Sequence, residues 1–84
     1  MMEIKNEFAL GFDEIFYDEG MYEKDIFDLI DEIRRLSKMA NNNKNKHLRL
    51  ANIYGYIAAL KAIVQIKELT QSMKVYEQLL YAEV

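Results

Sequence analysis

Apolar residues recur along this chain at steps of three and four, and no period-two run bounded by turn residues interrupts them. That spacing is the signature of helices with one buried face. From Glu3 to Asp18, the positions Ile4, Phe8, Gly11, Phe12 and Ile15 fall within about 100° of arc at 3.6 residues per turn. Glu3, Glu7 and Glu14 occupy another face of the same turns. Gly20 supplies a stop, because glycine tolerates the left-handed conformation that ends helices. Asp18 and Glu19 sit poorly at such an end, where the helix dipole is negative.

A second helix is predicted over 22–40, with Tyr22, Ile26, Leu29, Ile30, Ile33, Leu36 and Ala40 as its core stripe. Glu23, Asp25 and Asp28 stand at its start and Arg34, Arg35 and Lys38 at its end, an order that suits the dipole. The polar run NNNKNK, residues 41–46, reads as the loop of a helical hairpin, since asparagine favours turns.

A third helix is predicted over 47–82. Its main stripe is Leu48, Ala51, Gly55, Ala58, Ala62, Ile66, Leu69, Met73, Tyr76 and Leu80. The residues are small as far as Ala62 and large from Leu69 onward. Small residues let another backbone approach closely. A break near Thr70 is the alternative, with Thr70 capping a short final helix. A second stripe, Ile53, Ile57, Leu60 and Val64, stops where Lys67, Glu68 and Gln71 begin.

The pattern therefore predicts an all-α fold and a single helical domain over 1–84. Three helices are arranged about a hairpin at 41–46, with a long C-terminal helix as backbone. The first two pack on the main stripe, which leaves the second unclaimed. Ile53, Ile57, Leu60 and Val64 are accordingly the predicted interface of a homodimeric helical bundle.

Composition strengthens the case for a partner. The chain has 84 residues, 51% of them hydrophobic, with no cysteine and no proline. A core of this size rarely supplies more than about 3–5 kcal/mol unaided. Disulfides are excluded and a structural zinc site is unsupported with one histidine. No signal peptide or membrane span is expected, because the N-terminal segment is acidic and Asn52, Lys61 and Gln65 interrupt the most apolar stretch. The expected location is cytoplasmic.

Charge is strongly polarised. Residues 1–32 hold eleven acids and two lysines, a net of −9; residues 33–84 hold nine bases and three acids, a net of +6. The acids Asp25, Asp28, Asp31 and Glu32 step by three or less along one helix, and paired helical carboxylates can hold Mg²⁺ in nucleotide hydrolases. A cage would need a second carboxylate pair from another helix, and only Asp13 and Glu14 are at hand. His47, the one histidine, has no nucleophile or orienting carboxylate fixed near it. Gly11, Gly20 and Gly55 are isolated, so no phosphate loop exists. The chain is expected not to be an enzyme and to need no cofactor or metal.

Two surfaces remain. Arg34, Arg35, Lys38, Lys44, Lys46 and Arg49 surround the hairpin tip and suit phosphate, although no aromatic residue interleaves with them. The acidic segment could imitate a phosphate backbone. Asp13, Phe16, Tyr17, Asp18, Glu19, Asp25, Asp28 and Glu32 are its candidate partner-binding residues, with the aromatics as anchors. Tyr56 and Tyr81 lie off the main stripe, where interface and core roles are equally served. The leading expectation is a small phage or mobile-element adaptor or inhibitor that binds a host protein through its acidic third. A dimeric nucleic-acid-binding regulator using the basic tip comes second and a metal-dependent nucleotide hydrolase third.

Overall fold

A computed structural model describes residues 2–82, without the side chains of Tyr76, Tyr81 and Ala82, so the expectations for Tyr76 and Tyr81 lie outside it. The described residues are helical almost throughout, in the order α1 (Met2–Phe16), α2 (Glu19–Glu23), α3 (Ile26–Asn42) and α4 (His47–Ala82). The fold is all-α.

The stretch predicted as one helix over 22–40 is divided, and two aspartates divide it. Asp18 accepts a hydrogen bond from the Gly20 N–H at 2.9 Å and caps the N-terminus of α2. Asp25 accepts one from the Phe27 N–H at 3.4 Å and caps α3. Short carboxylate side chains are favoured there because they satisfy orphan backbone donors at the positive end of the dipole. Asp18 and Glu19 thus begin a helix instead of ending one. Gly20 is not the predicted left-handed stop: it lies inside α2, and no described residue has a positive φ.

The hairpin turn is shorter than 41–46. Helix α3 continues through Asn42, and Asn43 closes it by donating from Nδ2 to the Met39 carbonyl at 2.7 Å. Such a short connection forces α3 and α4 antiparallel. Helix α4 is unbroken at Thr70, whose hydroxyl donates to the Ile66 carbonyl one turn back, at 2.9 Å, instead of capping a new helix. Its 36 residues span about 54 Å at 1.5 Å per residue, which sets the 59 Å long axis of the molecule.

Helix α4 is the centre of the structure, with α1 and α3 on different sides of it. Helix α1 runs in the same direction as α4: Glu7 meets Asn52, and further along Glu14 meets Tyr56. The two backbones touch where both sequences have glycine. A Cβ on Gly11 would collide with the Asn52 carbonyl oxygen, and one on Gly55 with the Phe8 carbonyl oxygen, while also lying 2.9 Å from the Phe12 nitrogen. The small stretch of the main stripe is therefore the seat of α1.

Helix α3 takes the other stripe. Leu29, Leu36 and Ala40 form a buried cluster with Ile53, Ile57, Leu60 and Ile63. Each fully buried Leu or Ile stabilises the fold by roughly 1.5–3 kcal/mol. Ile53, Ile57 and Leu60 are thus inside the single chain, at 1%, 7% and 0% exposure, and Val64 packs half-buried against the same cluster. They are not the surplus face predicted for a dimer. The expectation fails because it seats the first two helices together on the main stripe, whereas α3 crosses to the second.

Lys67 ties the short α2 to this frame. Its Nζ donates to the carbonyls of Tyr22, at 2.7 Å, and Lys24, satisfying acceptors at the negative end of α2. The Tyr22 hydroxyl in turn donates to the Phe16 carbonyl at 2.8 Å, closing the corner between α1 and α2.

Gly11→Ala and Gly55→Ala should each destabilise the protein by roughly 1–3 kcal/mol, the usual cost of overpacking. This loss exceeds the gain of about 0.5–1 kcal/mol that alanine offers in a helix. Urea titration measures the balance, and a stabilised Gly55→Ala variant would contradict the close contact.

Candidate functional site

The predicted acidic residues follow the caps and the corner between α1 and α3. Asp13, Asp18, Glu19, Asp25 and Asp28 are exposed. Asp18 and Asp25 hold helix starts as described. Glu32, half-buried, accepts hydrogen bonds from the Arg35 guanidinium one turn on, through Nε at 3.2 Å and through Nη2. That bond holds the Glu32 carboxyl below the usual carboxylate range. Asp31 lies 3.9 Å from Arg34. Part of the acidic count is therefore matched locally; of the predicted contact residues Asp13, Glu19 and Asp28 have no described side-chain hydrogen bond or ion pair, and neither do Glu3 and Glu23.

Phe16 is not an exposed anchor. It is half-buried, stacked on Phe12 with ring centroids 4.9 Å apart and set edge-on to Tyr22. Tyr17 is the aromatic that faces water, at 74% exposure. Phe27 matches it at 74% and escapes the periodicity reading. Its position between two stripe residues, Ile26 and Leu29, hides it, although its place two residues after a capping aspartate, whose side chain it binds through its N–H, is a signal. The acidic end thus carries two exposed rings, at either side of α2, with Asp18 and Glu19 beside one and Asp25 and Asp28 beside the other.

Of the predicted basic residues, Arg34 and Arg35 lie midway along α3, and Lys44, Lys46 and Arg49 lie past its far end, about 25 Å from its start for a 17-residue helix at 1.5 Å per residue. Arg34 and Arg35 face their own helix's acids, and Arg35 also donates to the Met39 sulfur at 3.2 Å. Lys38, Lys44, Lys46 and Arg49 are exposed around the turn. His47 is exposed at the first position of α4. Among the described residues, no three His, Cys, Asp or Glu side chains gather where they could hold a metal ion. No described helix is long and apolar enough to cross a membrane.

Two other acids serve the body. The Asn52 amide donates to the Glu7 carbonyl at 3.3 Å, and the Tyr56 hydroxyl donates to Glu14 Oε2 at 2.6 Å. The Glu14 bond, with partial burial, pushes the Tyr56 phenol above its ordinary value of 10.0. Tyr56 is therefore a tether between α1 and α4.

A third surface lies where α1 and α4 part, and Ile57 of the buried cluster also borders it. Ile4, Phe8, Ala51, Tyr54, Ala58 and Lys61 line a groove of about 630 Å³. Ile4 and Phe8 belong to the predicted core stripe of the first helix, yet they are 41% and 40% exposed. Compared with protein-family models, curated proteins and solved structures, the chain matches none.

The Tyr56 tether has a pH signature. A phenol held up in the folded state contributes its full stability below the unfolded value near 10 and loses it as pH rises through the folded value. Tyr56→Phe should cost about 1 kcal/mol at neutral pH, and the gap from wild type should narrow as pH passes 10. Denaturant titration across pH 7–11 tests this, and a gap that stays constant would contradict it. Glu32 acts in the opposite window: its contribution is present above the ordinary carboxylate value and falls away as the solution is acidified.

Proposed function

We propose that this chain is a non-enzymatic protein–protein interaction module, an adaptor or inhibitor of the kind that phages and other mobile elements carry. Its contact surface is the acidic end around α2 and the start of α3. The observation that supports this most is the pair Tyr17 and Phe27, each 74% exposed among Asp18, Glu19, Asp25 and Asp28. Aromatic rings are the commonest anchors of interfaces, and surrounding charge steers and selects the partner. Rings set in carboxylates fit a basic surface, such as one that otherwise grips a phosphate backbone. The reading includes association of two copies, supported by the apolar groove and by the exposed apolar residues of α4.

The basic turn supports a second reading, phosphate binding by Lys38, Lys44, Lys46 and Arg49. It is the weaker one, because Arg34 and Arg35 face acids of their own helix. Any nucleic-acid retention of this kind should fall steeply with added salt.

Tyr17→Ala combined with Phe27→Ala, and separately Asp28→Lys, leave both capping aspartates and the buried cluster untouched. A host protein captured by the wild-type chain should bind the aromatic double variant at least about tenfold more weakly, the loss of a hot spot. Quantitative capture from a host extract, followed by titration of the captured protein, measures this. Undiminished binding by both variants would move the contact surface elsewhere. Retention of DNA or RNA that Lys44→Glu with Lys46→Glu abolishes would favour the second reading.

A further inference from the structure

Beyond Lys67, α4 continues for about four turns at 3.6 residues each, and residues 68–75 and 77–80 are all exposed. The exposed apolar positions on this arm fall on two faces, with Val75 and Leu79, at 56% and 60% exposure, on the shorter one. Leu69, Met73 and Leu80 share one face, at 62%, 56% and 49% exposure. Followed back along the helix, that face carries Ala62, Ala58 and Ala51, and Ala58 and Ala51 line the groove beside Ile4 and Phe8. All six positions fall within about 60° of arc at 3.6 residues per turn. One half of the face offers large side chains; the other half, beside the seat of α1, offers the half-buried Ala58 and Ala62 and the buried Ala51, small residues next to the open groove.

The two halves match each other in one register. The pairs Leu69 with Ala62, Met73 with Ala58 and Leu80 with Ala51 share one midpoint, between Gln65 and Ile66. Two antiparallel copies of α4 centred there would set every one of those large residues opposite an alanine at once. The charges agree. Lys61 and Glu68 are both exposed and seven residues apart, so they share a flank of the seam. Antiparallel helices bring like flanks together. In this register Lys61 of each copy stands within two residues of level with Glu68 of the other.

We propose that the occupant of the groove is a second copy of this chain. The two α4 helices pair antiparallel about a two-fold axis at Gln65–Ile66, and the arm of each lies in the groove of the other. The contact is isologous and closed, so it yields a dimer and not a fibre. It covers a strip of large apolar residues that is long for a chain this small to leave in water: Ile66, Leu69, Met73 and Leu80 on the arm, and Ile4, Phe8 and Tyr54 on the body. This inference rests on the two-copy part of the proposed function and gives it a surface; it leaves the acidic contact surface unaffected.

Sedimentation equilibrium of the full chain at micromolar concentration should read twice 10.0 kDa. Leu69→Glu with Met73→Glu changes exposed positions outside the buried cluster, so it should give the single-chain mass with the body still folded. Lys61→Glu should shift the mass toward that of one chain, and adding Glu68→Lys should restore the doubled mass. Because the chain has no cysteine, disulfides report the register: Lys61→Cys mixed with Glu68→Cys should link across copies more readily than either links to itself. A wild-type chain that stays single overturns the pairing and the two-copy reading together. A dimer indifferent to Leu69→Glu with Met73→Glu overturns this surface. A dimer in which Lys61→Cys links chiefly to itself overturns the antiparallel register and leaves two-copy association standing.

Discussion

The backbone contact between α1 and α4 at Gly11 and Gly55 is the constraint on which the remaining structure depends. Without side chains at those two positions, the helices approach until the carbonyls of Phe8 and Asn52 occupy the places of the missing methyl groups. That closeness brings the Asn52 amide within reach of the Glu7 carbonyl and the Tyr56 hydroxyl within reach of Glu14. It also fixes α1 to one side of α4, which leaves α3 the other. Ala59 and Ile63 are completely buried as a result. A glycine weakens a helix by about 0.5–1 kcal/mol relative to alanine, so this geometry persists only because the packing it permits outweighs that loss.

Several features of the fold are legible in the residues alone. The helical periodicity is plain, and the small half of the α4 stripe announces a close neighbour. The two-sided apolar character of residues 48–66 has a local cause: two helices of the same chain flank α4, one on each stripe. Ile63 belongs to neither stripe, because periodicity lists faces and says nothing of how two neighbours divide them. The corner at 17–25 is obscured differently. Asp18 and Asp25 are the signals, each followed by a short run that can start a helix, but Gly20 invites a turn in the wrong place. An acid that sits badly at the end of one helix is often the start of the next, and here that rule resolves the corner.

The candidate surface was legible in outline and misjudged in detail for a related reason. A charge count treats every carboxylate as available. In the folded chain Asp18 and Asp25 cap helices, Asp31 and Glu32 face arginines one turn away, and Glu7 and Glu14 engage α4. The polarity that remains is narrower and more localised than a net of −9 suggests. The same sorting separates the aromatics: Phe16 is claimed by Phe12 and Tyr22, while Tyr17 and Phe27 are not covered. Phe27 is invisible to periodicity because it interrupts a stripe instead of belonging to one.

The turn between α3 and α4 has a consequence for how this chain tolerates change. Asn43 closes α3 with its own side chain and an ordinary negative φ of −119°, and Asn43, Lys44, Asn45 and Lys46 contribute nothing to the buried cluster. No residue there is held in a conformation that only glycine could adopt. Lengthening such a connection costs only about 0.6 kcal/mol per doubling of its length, and the buried cluster also holds α3 on α4. This corner is therefore a natural insertion point, at which foreign sequence or a new pair of chain ends could be accepted without disturbing the buried cluster or the acidic end.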